Sequence, residues 1–295
     1  MPAKRHIQGD CLLLLTAMIW GSAFVAQKVG MEHIGPFVFN GVRFGLGALV
    51  LTPLALRTKG PQSFLHQTRP APSLLFSGLL AGVFLFAGSS LQQVGIIYTT
   101  AGKAGFITGL YVIIVPLLGL FWGHKAGRGA WLGACLAVLG LYLLTVKTGF
   151  TISPGDGLVF LCALMFALHV LTIGWLAPRV EVIKLAVVQF WVCSLFSLVV
   201  GLLAEHTSWS DLMDASVPIL YGGLLSVGVA YTLQVVAQRK APPTHAAIIL
   251  SLETVFAVLS GCLLLGETLT PRAWLGCGLM LCGMLAAQLE PPSQT

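Results

Sequence analysis

Residues 129–147 read GAWLGACLAVLGLYLLTVK, and residues 272–289 read RAWLGCGLMLCGMLAAQL. Each stretch is apolar over about the 20 residues that a helix needs to cross the hydrocarbon core of a bilayer. The motif AWLG stands near the start of both, at 130–133 and 273–276, and a second glycine follows, as Gly140 and Gly283. A motif repeated in two membrane-spanning helices indicates a duplicated membrane domain.

The start of each half also matches. Gly9-Asp10 precedes the first apolar run of the chain, and Gly155-Asp156 precedes the sixth. We therefore expect two halves of five helices, residues 10–147 and residues 156–289. Since five is odd, two copies joined by a short loop enter the membrane in opposite orientations. Many secondary transporters use such inverted repeats to place a binding site near the midplane; a duplication kept only for stability is the alternative.

Composition places the whole chain in lipid. Of its 295 residues 57% are hydrophobic and only 9% charged, and the mean hydropathy is +0.91; soluble domains carry roughly 25% charged residues. The sequence predicts an all-α membrane protein with ten transmembrane helices. The expected spans lie near 11–30, 36–56, 73–93, 100–122, 129–147, 156–177, 183–204, 217–237, 245–265 and 272–289.

The positions of lysine and arginine predict the orientation. One set of loops holds eleven of these residues and the other set holds three. Positively charged loops stay in the cytoplasm, so both termini should be cytoplasmic. Compact loops favour a bacterial inner membrane.

Several functions are excluded or disfavoured by what the sequence lacks. The net charge of +6 comes from scattered residues that form no basic stripe, so nucleic-acid binding is not expected. The seven cysteines show no CxxC spacing, which argues against a metal site or a disulfide framework. Enzyme motifs and a P-loop are missing. We expect neither an enzyme nor a bound cofactor.

Polar residues inside the spans are costly and therefore indicate function. Glu253 lies about nine residues into the ninth span, roughly 14 Å deep at 1.5 Å per residue. A charge at that depth costs about 2.5–3.5 kcal/mol on insertion scales. Glu253 should therefore be protonated, paired with a cation or exposed to a watery cavity, any of which suits proton coupling or amine binding. A structural hydrogen bond to a neighbouring helix is the alternative.

Arg43 is the other charged candidate, about seven residues into the second span. Its guanidinium could hold a substrate carboxylate through two hydrogen bonds. Alternatively, it could pair with Glu253 or a backbone carbonyl as a structural clamp. Lys103 begins the fourth span, and Lys28 can extend to the interface.

Aromatic and polar residues are expected to complete the site. Trp20 lies near the centre of the first span, whereas tryptophan usually lies at the headgroup level. Trp20 and Tyr111 would form an aromatic wall, while Tyr231 and His169 would contribute from the second half. For each of these residues an interhelical hydrogen bond is an alternative role, and His169 could relay protons. Pro116 in the fourth span frees a backbone carbonyl and predicts a bend or hinge.

These residues give the chain a family resemblance over essentially its whole length. Trp20-Gly21, Arg43, the double repeat, the sequence SLETV at 251–255 and LGE at 265–267 resemble the EamA family of the drug/metabolite transporter superfamily. Two positions depart from its pattern: Thr254 replaces a proline that often follows the glutamate, and His124 stands where an acid matching Glu267 is common.

The resemblance implies an exporter of amino acids and related metabolites, with a central cavity lined by helices from both halves. We expect a monomer or homodimer that exports a small polar or zwitterionic substrate by alternating access, with protons as a possible coupling ion. The alternatives are transport of organic cations and drugs, transport of nucleobases or sugar derivatives, and a membrane sensor that does not transport.

Overall fold

The computed structural model describes residues 2–58, 72–99, 101–123, 126–145, 153–265 and 270–288. Within these ranges the chain is helical and contains no strand. The helices are α1 (Pro2–Gly30), α2 (Pro36–Arg57), α3 (Leu74–Tyr98), α4 (Ala101–Gly109), α5 (Tyr111–Phe121), α6 (Arg128–Thr145), α7 (Pro154–Leu176), α8 (Val182–Ala204), α9 (Trp209–Asp214), α10 (Ser216–Leu220), a π-helix (Tyr221–Tyr231), α11 (Thr232–Gln238), α12 (Pro243–Leu250), α13 (Glu253–Leu265) and α14 (Pro271–Gln288).

Eight helical segments in the described part of the chain are long and apolar enough to cross a membrane. They are Gln8–Gly30, Pro36–Arg57, Leu74–Tyr98, Ala104–Phe121, Pro154–Leu176, Val182–Ala204, Ser216–Gln238 and Pro243–Ser260. Two further apolar helices, Arg128–Leu143 and Pro271–Ala287, are shorter. The prediction of an all-α, multi-pass membrane protein is confirmed, while ten crossings and the orientation of the termini remain predictions.

Beyond α1, proline stands at the start of four of the helices. Pro36, Pro154, Pro243 and Pro271 each stand at the first position of a helix. Proline fits there because its fixed φ matches a helix and its missing N–H would have had no partner within the first turn. These starts lie within two residues of the predicted spans at 36, 156, 245 and 272.

Glycines let α6 and α14 pack backbone against backbone. A Cβ atom at Gly133 would lie 2.6 Å from the carbonyl oxygen of Gly283, and one at Gly140 would lie 2.6 Å from that of Gly276. Gly133, the earlier glycine of α6, therefore lies next to the later glycine of α14, and Gly140 lies next to the earlier one. The two helices consequently run antiparallel. Small residues that permit such close approach are typical of helix interfaces in membranes.

A polar contact fastens α2 to the end of α8. The two carboxylate oxygens of Glu205 accept hydrogen bonds from the backbone N–H groups of Phe37 and Val38, each at 2.8 Å. These donors belong to the first turn of α2, where backbone N–H groups lack partners and the helix dipole favours a negative charge. The carboxylate thus caps a helix that does not belong to its own segment.

Three predicted spans are less regular than their sequences suggest. The fourth span is interrupted at Leu110, and the ninth span is interrupted at Ser251 and Leu252. At both places backbone hydrogen bonds join residues three apart, which makes the turn tighter than that of an α-helix. The eighth contains the eleven-residue π-helix. The expected hinge at Pro116 is not where the fourth span breaks, because α5 continues through that proline as a helix.

Candidate functional site

The two interrupted helices bring Tyr111 and Glu253 together. Tyr111 is the first residue of α5, and Glu253 is the first residue of α13. The Tyr111 hydroxyl donates a hydrogen bond of 3.2 Å to Oε1 of Glu253. The position of Glu253 at a helix N-terminus also favours negative charge on it through the helix dipole. Broken helices that meet in this way are a common basis for binding sites in transporters.

A small cavity of about 40 Å³ lies beside this contact. A space of this size holds a few water molecules in the conformation described, since one water needs roughly 10–15 Å³ of such volume. All six residues that the sequence analysis selected line it. The complete lining is Trp20, Phe24, Gln27, Arg43, Gln92, Tyr111, Phe166, His169, Val170, Ser226, Tyr231, Gln234, Leu250 and Glu253.

Glu253 is only 6% exposed, and its hydrogen-bond partner in the described chain is Tyr111. No ion pair joins Glu253 to Arg43 among the described residues, where pairing was one of the predicted alternatives. Glu253 therefore combines burial, which makes a charge costly, with a position at the cavity.

Arg43 is held by its neighbours on α2 and by aromatic rings. Its Nε donates to Oδ1 of Asn40 at 3.0 Å. The guanidinium carbon lies 5.3 Å from the ring centroid of Phe39 and 5.0 Å from that of Phe44, distances that suit cation–π attraction. Arg43 is 3% exposed, and the described residues offer its terminal nitrogens no hydrogen-bond partner.

The aromatic wall centres on Tyr231. Its ring centroid lies 4.5 Å from that of Trp20, 5.8 Å from Phe44 and 6.1 Å from Phe190. His169 meets the same ring edge-on, with centroids 6.2 Å apart. Offset and edge-on contacts are the favourable arrangements for aromatic rings, and three members of this cluster, Trp20, His169 and Tyr231, line the cavity. Trp20 and Tyr111, the predicted aromatic wall, both line the cavity, and the ring contact of Trp20 is with Tyr231.

His169 is fixed by an amide. Its Nε2 lies 2.9 Å from Oε1 of Gln189 on α8, and both residues are buried. Because an amide oxygen only accepts, Nε2 carries the proton in this pair. Two further hydrogen bonds involve buried amide side chains. Nε2 of Gln234 donates to Oε1 of Gln238 at 2.9 Å, and Nε2 of Gln238 donates to the carbonyl oxygen of Val170 at 2.9 Å. Proton relay through His169 remains a prediction.

Sequence reasoning missed several residues of the cavity. Gln27 and Gln92 line it, although both lie in apolar helices where an amide is a costly choice. Oε1 of Gln27 is buried and has no hydrogen-bond partner among the described residues. That cost was the available signal, since unpaired amides in a membrane segment indicate a polar interior. Phe24, Phe166 and Ser226 carried no comparable signal.

Some predicted positions are peripheral or lie outside the described residues. Lys28 is exposed at the end of α1, as expected for a residue that extends to the interface. The side chain of Lys103 is outside the described part, as are His124 and Glu267. Of the two positions that depart from the family pattern, His124 lies outside the described residues, whereas Thr254 is buried next to Glu253 on α13.

The family is decided by a match along both halves of the chain. A model of the EamA-like transporter family matches residues 7–146 and residues 153–287. The chain belongs to the EamA-like transporter family. This EamA protein is therefore a transporter and a multi-pass membrane protein, as its sequence predicted.

Similar proteins carry transporter names as well. An uncharacterized transporter of Archaeoglobus fulgidus is 32% identical over 97% of this EamA chain and 87% of its own length. The uncharacterized inner membrane transporter YedA of Escherichia coli is 25% identical, covering 92% and 88%. A probable amino-acid metabolite efflux pump of Salmonella typhimurium is 25% identical and covers 92% of both chains.

A crystal structure shares the fold of this EamA chain. Its TM-score is 0.75 at 18% sequence identity, covering 95% of this chain and 96% of the other. At that identity the likeness extends to the fold alone.

Proposed function

We propose that this transporter exports small zwitterionic metabolites, amino acids or their derivatives, by alternating access. One observation carries the proposal: a single cavity holds the Arg43 guanidinium, with terminal nitrogens unpaired by the described residues, and the Glu253 carboxyl group. An unpaired buried charge is costly. A substrate that brings the opposite charge to each group removes that cost.

In this proposal each end of the substrate has its own partner. The substrate carboxylate binds the two terminal nitrogens of Arg43, since the planar guanidinium fork matches a carboxylate. The ammonium lies toward Glu253, with the rings of Trp20 and Tyr231 offering cation–π attraction. Gln27 presents its unpaired amide oxygen as a further acceptor.

The proposed architecture is two inverted five-helix repeats, residues 10–147 and 156–289, in the inner membrane with both termini cytoplasmic. The glycine contacts between α6 and α14 support it. In the repeated motif Gly133 corresponds to Gly276 and Gly140 corresponds to Gly283. A two-fold axis that exchanges corresponding residues would therefore exchange the contact Gly133–Gly283 with the contact Gly140–Gly276. The family model matches each half separately, and the name of YedA places that relative in an inner membrane.

Glu253 is the proposed coupling group. It lies at the cavity, deep in the predicted span, with its carboxyl oriented by Tyr111. Binding of a proton and binding of an ammonium group would compete for the same carboxylate. That competition would drive export of the substrate by entry of protons.

A second candidate is transport of organic cations. The acidic Glu253 and the stacked rings of Trp20 and Tyr231 would suit a cationic aromatic compound. Arg43 opposes it, because a fixed positive charge in the same cavity repels a cation that brings no carboxylate.

Flux through purified protein in proteoliposomes tests the proposal. Labelled amino acids and a few organic cations are loaded, and their release is followed with and without an imposed pH gradient. Saturable, gradient-stimulated release of an amino acid is expected. Release of cations alone would favour the second candidate, and release of neither would contradict transport of both classes.

A further inference from the structure

Three hydrogen bonds join α1 to the π-helix in antiparallel order. The Thr16 hydroxyl lies 3.2 Å from the carbonyl oxygen of Ala230, and Nε1 of Trp20 donates to that of Ser226 at 3.2 Å. The hydroxyls of Ser22 and Tyr221 also hydrogen-bond each other. We call these three contacts the α1–π ladder. They engage the first residue of the π-helix, its middle and its next-to-last residue.

The π-helix determines which of its residues face the cavity. In a π-helix the amide of residue i+5 bonds to the carbonyl of residue i, so residues five apart lie on the same side of the helix. Ser226 and Tyr231 are five apart, and both line the cavity. In an α-helix, residues five apart lie about 140° apart around the axis, whereas residues four apart lie only about 40° apart.

A conversion to α-helix would therefore exchange one lining residue for another. With Tyr231 kept in place, Val227 would take the position that Ser226 now holds. Val227 is at present fully buried and packs against Gly47 of α2. The exchange would replace the hydroxymethyl side chain of a serine at the cavity with the isopropyl group of a valine.

We propose that Thr16 and Ser22 are positioning residues, which hold the eighth span in its π form so that Ser226 and Tyr231 face the substrate together. π-Helices are rare and recur at functional sites, and interhelical hydrogen bonds of this kind are a main source of helix association in lipid. The Thr16 hydroxyl also lies 2.9 Å from the carbonyl of Leu12. The hydroxyl proton of Thr16 is therefore shared between the carbonyl oxygens of Leu12 and Ala230. Thr16 can lose its bond to the π-helix and still keep a hydrogen-bond acceptor in its own helix.

The role of these positions for substrate rests on the proposed function, but the helix geometry can be tested without transport. S226C and V227C are made separately in a variant lacking the seven native cysteines. Each is reacted with 2-aminoethyl methanethiosulfonate, a small water-soluble thiol reagent. With the ladder intact, S226C is expected to react and V227C to be protected.

Adding T16V, which keeps the shape of the side chain but removes its hydroxyl, should shift reactivity from S226C to V227C. The ratio of the two rates should change by at least about threefold, the factor that one average interhelical hydrogen bond is worth. T16S should restore the original ratio, because serine keeps the hydroxyl. S22A removes another hydrogen bond of the α1–π ladder, and the same shift in reactivity is expected from it. S22A replaces T16V as the test if T16V does not yield folded protein.

Unchanged rates at both cysteines in folded T16V and S22A would overturn the proposal. A shift in reactivity in a protein that transports no amino acid would leave the ladder standing and contradict the proposed function. Transport of amino acids with no shift would contradict the ladder alone.

Discussion

The hydroxyl of Tyr111 and Oε1 of Glu253 lie 3.2 Å apart, and each residue is the first of a helix that follows a break in a membrane span. The pair thus joins the fourth predicted span to the ninth at the edge of the cavity. Because each break ends one helix and begins another, the regular α-helical hydrogen bonding is interrupted next to both side chains.

Removal of the Tyr111 hydroxyl should weaken substrate binding. Y111F keeps the ring and takes away the donor that orients the Glu253 carboxyl. An interhelical hydrogen bond in a membrane protein is worth about 0.6 kcal/mol on average and up to about 1.7. KM should therefore rise by about 3- to 17-fold. Y98F, at an exposed tyrosine, is the control; equal KM values for the two variants would argue against a role for the hydroxyl.

Neutralising Glu253 should remove the effect of a pH gradient. E253Q cannot exchange a proton, but its amide fits the same space and can still accept from Tyr111. Wild-type efflux is expected to respond to a gradient imposed between about pH 5 and 8, and E253Q efflux is expected to be slow and insensitive to it. A variant that keeps the wild-type response would exclude Glu253 as the coupling group.

Replacing Arg43 should separate substrates by their carboxylates. R43Q removes the guanidinium and should weaken binding of a carboxylate substrate by at least about 30-fold, since loss of one partner of a buried charge pair costs about 2 kcal/mol or more. R43K should recover part of the loss, because lysine keeps the charge without the planar fork. Binding is measured through inhibition of flux. Equal affinities in all three proteins would assign Arg43 to structure alone.

Close packing of α6 on α14 should be sensitive to a single methyl group. At Gly283 a Cβ atom would lie 2.7 Å from the carbonyl oxygen of Gly133, so G283A should destabilise the protein by about 1–3 kcal/mol, the usual cost of overpacking. At Gly278, on the same helix, nothing lies within 4 Å of the added atom. G278A is the matched control. The apparent Tm in detergent should fall for G283A alone, and an equal Tm would contradict the contact.

The helices follow closely from the sequence because their signals are strong and local. Long apolar runs set the spans, and Pro36, Pro154, Pro243 and Pro271 set four starts to within two residues. The cavity residues Glu253 and Arg43 were also accessible, because charge within a span is costly enough to stand out. Their convergence on one cavity required the fold, which the double repeat indicated only in outline.

The irregular segments were not predictable in the same way. The break at Leu110 carries no proline, whereas the proline six residues later lies inside a continuous helix. The π-helix at Tyr221–Tyr231 contains glycines but no residue that demands wider turns. We attribute its geometry to partners on α1 that lie about 200 residues away in the chain, and such long-range hydrogen bonds leave no local pattern in the sequence.

Exchange of matched substrate analogues tests the central claim most directly. The amino acid with the fastest flux is compared in proteoliposomes with its methyl ester, which lacks the carboxylate, and its N-acetyl derivative, which lacks the ammonium. If Arg43 and Glu253 bind opposite ends of a zwitterion, the intact amino acid exchanges and both derivatives fail. Exchange of the methyl ester at an equal or higher rate would contradict the account and identify the protein as a transporter of cations.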